Sequence, residues 1–153
     1  MFFDRHVIPN VAEWRKSPLD LRLAMNAAVS LNQMADYFWH QFSESEPDRV
    51  FAETTVRRFR RELSTRHPNY GLIRDVADAH KHLKLDRGDR VLTSAGQTGV
   101  GSLGFGEAEY GLGTFGGSEE VVIELDSGQR RHFSGVVGDV VRMWEAMLSA
   151  TAF

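Results

Sequence analysis

SPLDLRLAMNAAVSLNQMADYFWHQF, residues 17–42, is the stretch whose reading decides the fold. Ser17, Pro18 and Asp20 form a helix-start signal: a capping hydroxyl, a proline at the first helical position where no donor is needed, and an acid in the first turn. Beyond it Leu21, Ala24, Ala28, Leu31, Ala35, Phe38 and Phe42 recur at three- and four-residue spacing. Met25, Met34 and Trp39 widen this stripe past what one neighbour can cover, as expected of the central helix of a bundle. The polar tract from Ser43 to Asp48 ends it.

Working outward, residues 1–16 read as an N-terminal arm, extended or with a short turn of helix, broken at Pro9-Asn10 and packed on the body through Phe2, Phe3, Val7, Ile8 and Trp14. A second helix is expected from Pro47 to Thr65, burying Phe51, Thr55, Phe59 and Leu63, until His67-Pro68-Asn69 breaks it. A third follows over 70–85, so that 17–85 holds three helices. Ten of the fourteen glycines then fall within 86–118, where a long mobile loop or a loose β-excursion is expected, anchored by Leu103, Phe105, Tyr110, Leu112 and Phe115. Residues 119–134 read as a β-hairpin: EVVIEL, the turn Asp126-Ser127-Gly128, then QRRHF. A C-terminal helix over 135–150 carries Val137, Val140, Val141, Trp144, Met147 and Leu148 on one stripe. The whole, 1–153, is expected to be one domain of the α+β class, mainly α: an up-and-down helical bundle with a Gly-rich loop, a C-terminal hairpin and a last helix.

Composition narrows the function classes. With 42% hydrophobic and 25% charged residues the chain should fold, and a net charge of −3 gives no global attraction to nucleic acid or anionic membrane, so any such binding must be local. There is no cysteine, which removes disulfides, thiolate nucleophiles and Cys-ligated zinc. The start, MFFDRH, has no signal-peptide pattern, and no apolar run is long enough to span a bilayer, so a cytoplasmic protein without membrane association is expected. Neither a Gly-x-Ser-x-Gly elbow nor a Gly-Lys-Ser/Thr phosphate loop occurs. Gly99, Gly101 and Gly104 match a dinucleotide fingerprint in letters, but more glycine follows where that motif needs a helix. No cofactor is expected.

The densest run of functional side chains is Arg74-Asp75-Val76-Ala77-Asp78-Ala79-His80-Lys81-His82 on the third helix. On a regular helix His80 lies within about 60° of Ile73, Val76 and Leu83 and so points into the apolar face, while Asp75, Asp78 and His82 form a polar face and Arg74 sits at the boundary. Two readings of His80 follow: a buried neutral imidazole bonded across the bundle, or a site residue lining a cleft or dimer interface. The Arg74 to His80 spacing, with the polar Asp75 after the arginine, resembles the Arg-x(4–6)-His motif of the HEPN superfamily of helical proteins, many of them RNases. That resemblance implies Arg74 and His80 as catalytic residues, the histidine moving a proton from a ribose hydroxyl and the arginine holding phosphate. The same spacing recurs at Arg60 and Arg61 relative to His67.

Other candidates lie around that run. Arg57, Arg60 and Arg61 project from the face opposite Phe59, a stripe able to grip phosphates or simply a solvated helix face. Asp75, Lys81 and His82 are further candidate binding residues, and the stacking of Asp75, Asp78 and His82 at metal-ligand spacing is read as solvated polar residues, with no metal assigned. The apolar surplus on the first helix suggests a homodimer. The layout also looks like uncharacterised bacterial proteins of similar length. Two functions are carried forward: a helical-bundle binding or assembly module, and a HEPN-like RNase or RNA-binding toxin-type protein.

Overall fold

The central helix forms as its stripe requires, and the rest of the chain wraps around it in a computed structural model that describes residues 1–86, 88–102 and 118–150. Helix α2 spans Leu21–Phe42 and buries Ala24, Ala28, Leu31, Ala35, Phe38 and Phe42 together with Met25 and Met34. Its N-cap is Asp20, whose carboxylate accepts from the Leu23 amide, and not Ser17. The Pro18 carbonyl is taken instead by the Trp14 indole, which holds Ser17–Leu19 in a turn outside the helix.

The N-terminal segment is helical almost throughout, a π-turn Phe3–Val7 leading into α1, Ile8–Lys16, with Phe3, Val7, Val11 and Trp14 buried. Pro9 follows the π-turn directly and lies in the first turn of α1, so it does not break the segment as expected. The expected 47–65 helix is two elements. A single 3-10 turn, Pro47–Val50, ends where Phe51 and Ala52 adopt left-handed backbone, and α3 runs only over Val56–Arg66. Thr55, expected on the buried face, is exposed and caps α3 by accepting from the Arg58 amide. Phe51 still reaches the core edge beside Phe59, at 5.6 Å between ring centroids. Helix α4, Pro68–His82, begins at the proline that ends α3 and stops three residues short of the expectation, at Leu83 with φ 64°.

The chain then makes a short excursion. Leu85 N donates to Thr93 O and Ala95 N to Leu83 O, closing the described residues 84–86 and 88–94 into a finger that lies over α4 and buries Leu92 completely. Strand β1, Thr98–Gly101, pairs antiparallel with β2, Glu120–Glu124, which pairs antiparallel with β3, Arg130–His132. The expected hairpin is β2–β3, with Gly128 at φ 86° in its turn. The expected β-excursion contributes the edge strand β1, while the anchors expected between 103 and 115 lie outside the described residues. Helix α5, Phe133–Ser149, starts directly after β3 and packs on β2, α4 and α2. Val121 and Ile123 of β2 join the helical residues in one core, whose largest buried side chain, Trp144, donates to Leu31 O across 3.1 Å. Among the described residues no helix is long and apolar enough to cross a membrane.

A candidate anion-binding cleft

Helix α4 is buried around most of its circumference, and that explains where the candidate residues went. Tyr70, Leu72, Ile73, Val76 and Ala77 are buried against the bundle, but so are Arg74 and Asp75, because the finger covers the face a helical wheel assigns to water. The Asp75 carboxylate, at 0% exposure, accepts from Arg74 Nε at 3.0 Å, Arg74 Nη2 at 2.9 Å, Arg90 Nη1 at 2.9 Å and the Val91 amide at 2.8 Å. Arg90 Nη1 also reaches Asp78 Oδ2 at 2.7 Å, and Arg74 Nη1 reaches Asp89 Oδ2 at 3.3 Å. Burial works against the Arg90 charge, yet its bonds to Asp78 and Asp75 outweigh burial and raise its pKa. Asp89 is held below the usual carboxylate range by the Arg74 guanidinium, partly opposed by its own burial.

His80 is the correction of most consequence. It is exposed, not inward-facing, because the last turn of α4 emerges from the bundle, and Lys81 and His82 are exposed beside it. The wheel carries one face along the whole helix, whereas the surrounding helices bury only its earlier turns. Leu83, placed on the apolar face by the same argument, is 66% exposed. Arg74 and His80 are therefore not brought together: the guanidinium is engaged by Asp75 and Asp89, and no contact links it to the imidazole. Asp75 and Asp78 are held by Arg90, and among the described residues no three His, Asp or Glu side chains are grouped to hold a metal ion.

What the fold does assemble is an arginine-lined cleft of about 760 Å³ between the start of α3, the middle of α4 and the finger. Arg57, Arg58, Arg60 and Arg61 come from α3, Arg74 from α4 and Arg90 from the finger, against the acids Asp78 and Asp89. Arg60 Nη2 bonds Asp36 Oδ2 of α2 at 2.7 Å, and its Nε is buried with no partner among the described residues. The side chains of Arg57, Arg58 and Arg61 make no ion pair or hydrogen bond among the described residues. Arg57 and Arg58 stand in the first turn of α3, which has no acidic residue, so two cations face the positive end of the helix dipole. Local stability argues against that placement; attraction of an anion favours it.

The stripe Arg57, Arg60 and Arg61 was readable from the sequence, since Phe59 fixes the inward face and is fully buried. Arg58, Asp89 and Arg90 were not singled out. The signal for the last two was the alternating charge of Asp86-Arg87-Gly88-Asp89-Arg90, which follows an acidic helix face able to receive it. Comparison with protein-family models, with curated proteins and with solved structures finds no match, which leaves function to be argued from the chemistry of the cleft.

Proposed function

We propose that this chain is a binding module whose arginine cleft holds the phosphate backbone of RNA, without a catalytic step. The observation that carries the reading is the set of three arginines, 57, 58 and 61, unpaired among the described residues and gathered in the first two turns of α3 on the wall of a cleft, in a protein of net charge −3. Guanidinium groups suit phosphate because their planar donors can bond two oxygens at once. A local basic site in an acidic protein confines such binding to one surface.

The HEPN-like alternative, RNA cleavage through Arg74 and His80, draws less support: His80 is exposed on the last turn of α4 and does not line the cleft that Arg74 lines. The apolar stripe of α2 that suggested a homodimer is covered within the chain by α1, α3, α4 and α5.

The test is fluorescence anisotropy with a labelled oligouridylate over a range of salt concentrations. Wild type should bind with an affinity that falls steeply with salt, and each of Arg57→Glu, Arg58→Glu and Arg61→Glu should weaken it, the loss of one contact lowering the logarithmic salt slope by about 0.7. Undiminished binding by the triple variant, or none by wild type, removes the reading. A cleavage assay on the same RNA with wild type and His80→Ala separates the rival: it predicts products that the variant fails to make.

A further inference from the structure

Two acids among the cleft's arginines call for an explanation, because a site built only to attract phosphate gains nothing from them. Asp78 has a structural task, since it and Asp75 share Arg90 and so hold the finger onto α4. Asp89 differs. Its side chain is 63% exposed, it lines the cleft, and its side-chain partner is Arg74 Nη1 at 3.3 Å. The Arg74 guanidinium is oriented independently of the Asp89 carboxylate, through Nε and Nη2 on the buried Asp75 carboxylate, with Nη2 also reaching the Asp89 backbone carbonyl at 3.5 Å. Removing Asp89 from Nη1 therefore leaves Arg74 fixed, still paired, and with a donor directed at the cleft.

Resting on the RNA-binding reading above, we infer that Asp89 is an internal occupant of the phosphate site: a ligand phosphate displaces its carboxylate from Arg74 Nη1, which makes Arg74 a hidden phosphate ligand and Asp89 the residue that sets affinity. A carboxylate and a phosphate oxygen offer a guanidinium the same acceptor geometry, so the exchange needs no rearrangement of the arginine. The Asp89 carboxylate is 63% exposed and makes a single bond to the guanidinium, so several phosphate groups held at the same time by Arg57, Arg58 and Arg61 can outcompete that one carboxylate. The exchange also frees an acid on a finger residue next to Arg90, whose own bonds to Asp75 and Asp78 stay in place. The ligand class this favours is one with closely spaced phosphates or a high local phosphate density, able to engage the α3 arginines and Arg74 together.

The experiment measures binding of inorganic tripolyphosphate by calorimetry to wild type, Asp89→Asn and Asp89→Ala, with the Arg74 Nε–Hε resonance followed by NMR in the same titration. Both variants should bind roughly three- to tenfold tighter than wild type. The Arg74 resonance should persist throughout, reporting an intact bond to Asp75, and should shift on addition of ligand in all three proteins. Equal affinity for wild type and both variants, including no binding by any of them, overturns the inference, as does an Arg74 signal that ligand leaves unmoved. The oligouridylate result is independent of these outcomes: RNA binding that depends on the α3 arginines but ignores Asp89 keeps the functional reading and discards the displaced acid. Because Asp89 is exposed and remote from the core, a variant that failed to fold would itself contradict its assigned role.

Discussion

At the scale of single residues Asp75 decides most. Its carboxylate receives two bonds from a buried arginine, one from Arg90 and one from a backbone amide, and removing it leaves Arg74 charged and enclosed with one exposed partner. Breaking a buried pair from one side costs about 3–5 kcal/mol, so Asp75→Ala should lose stability on that order in urea denaturation. Glu62→Ala, which removes the exposed partner of Arg66 one helical turn away, should change it by no more than about 0.5 kcal/mol. Equal effects would show that the Asp75 cluster is a surface feature. The sequence displays Asp75 as one polar residue in a polar arc, and only the finger, fifteen residues downstream, turns that arc into an interior. Tyr70 offers a pH test on the same helix. Burial pushes its hydroxyl well above the ordinary phenol range, and it bonds Asn32 Oδ1 at 3.3 Å. A raised folded-state pKa gives stability that is complete below the unfolded value of about 10 and is lost as pH climbs toward the folded value, by at most about 1.4 kcal/mol per pH unit. Tyr70→Phe should flatten that alkaline limb in denaturation curves recorded between neutral and strongly basic pH; an unchanged slope would mean another group controls it.

Among the elements, α3 shows what periodicity reveals and what it hides. Phe59 and Leu63 were legible as its buried face and Arg57, Arg60 and Arg61 as the other, because 3.6 residues per turn leave little choice. The start of the helix was misread, since Pro47 and Thr55 are both good openers and the pattern does not say that Phe51 and Ala52 turn left-handed between them. The hairpin was clearer: Gly128 supplies the one backbone conformation its turn demands. The true cap gives a prediction, for Thr55→Ala should cost about 1 kcal/mol through the unsatisfied Arg58 amide. Arg58→Glu should act in opposite directions on fold and function. It places a negative charge at the positive end of α3 and should raise stability by roughly 0.3–1 kcal/mol, while weakening oligouridylate binding several-fold. A variant that is both less stable and weaker at binding would indicate that Arg58 supports the helix, and would withdraw the argument that its placement reflects an anion.

For the whole molecule, the helical bundle and the small sheet meet through the finger and through α5, and the finger is tied at both ends. At one end Asp75 and Asp78 hold Arg90 and the Val91 amide. At the other, Gln97 spends its entire amide group: Oε1 accepts from the Thr93 and Ser94 amides, and Nε2 donates to Glu124 O and Asp126 Oδ1. The Val91 carbonyl in between accepts from the Asp126 amide in the β2–β3 turn. The class and the succession of long helices, hairpin and last helix were visible in the sequence because they follow from local pattern, but this closure was not, since it joins residues about thirty apart through polar side chains that carry no periodicity. If the finger is one cooperative unit, either fastening loses much of its value once the other is gone. Asp75→Asn and Gln97→Ala should therefore be non-additive, the double variant retaining about 0.5–3 kcal/mol more stability than the separate losses imply. Each single variant should also speed hydrogen exchange at the Val91 and Thr93 amides together, although each of those amides is bonded to only one of the two mutated side chains. Additive losses, with exchange changed only beside each substitution, would mean that the finger rests on two separate contacts, and that the cleft wall carrying Asp89 and Arg90 is held in place by α4 alone.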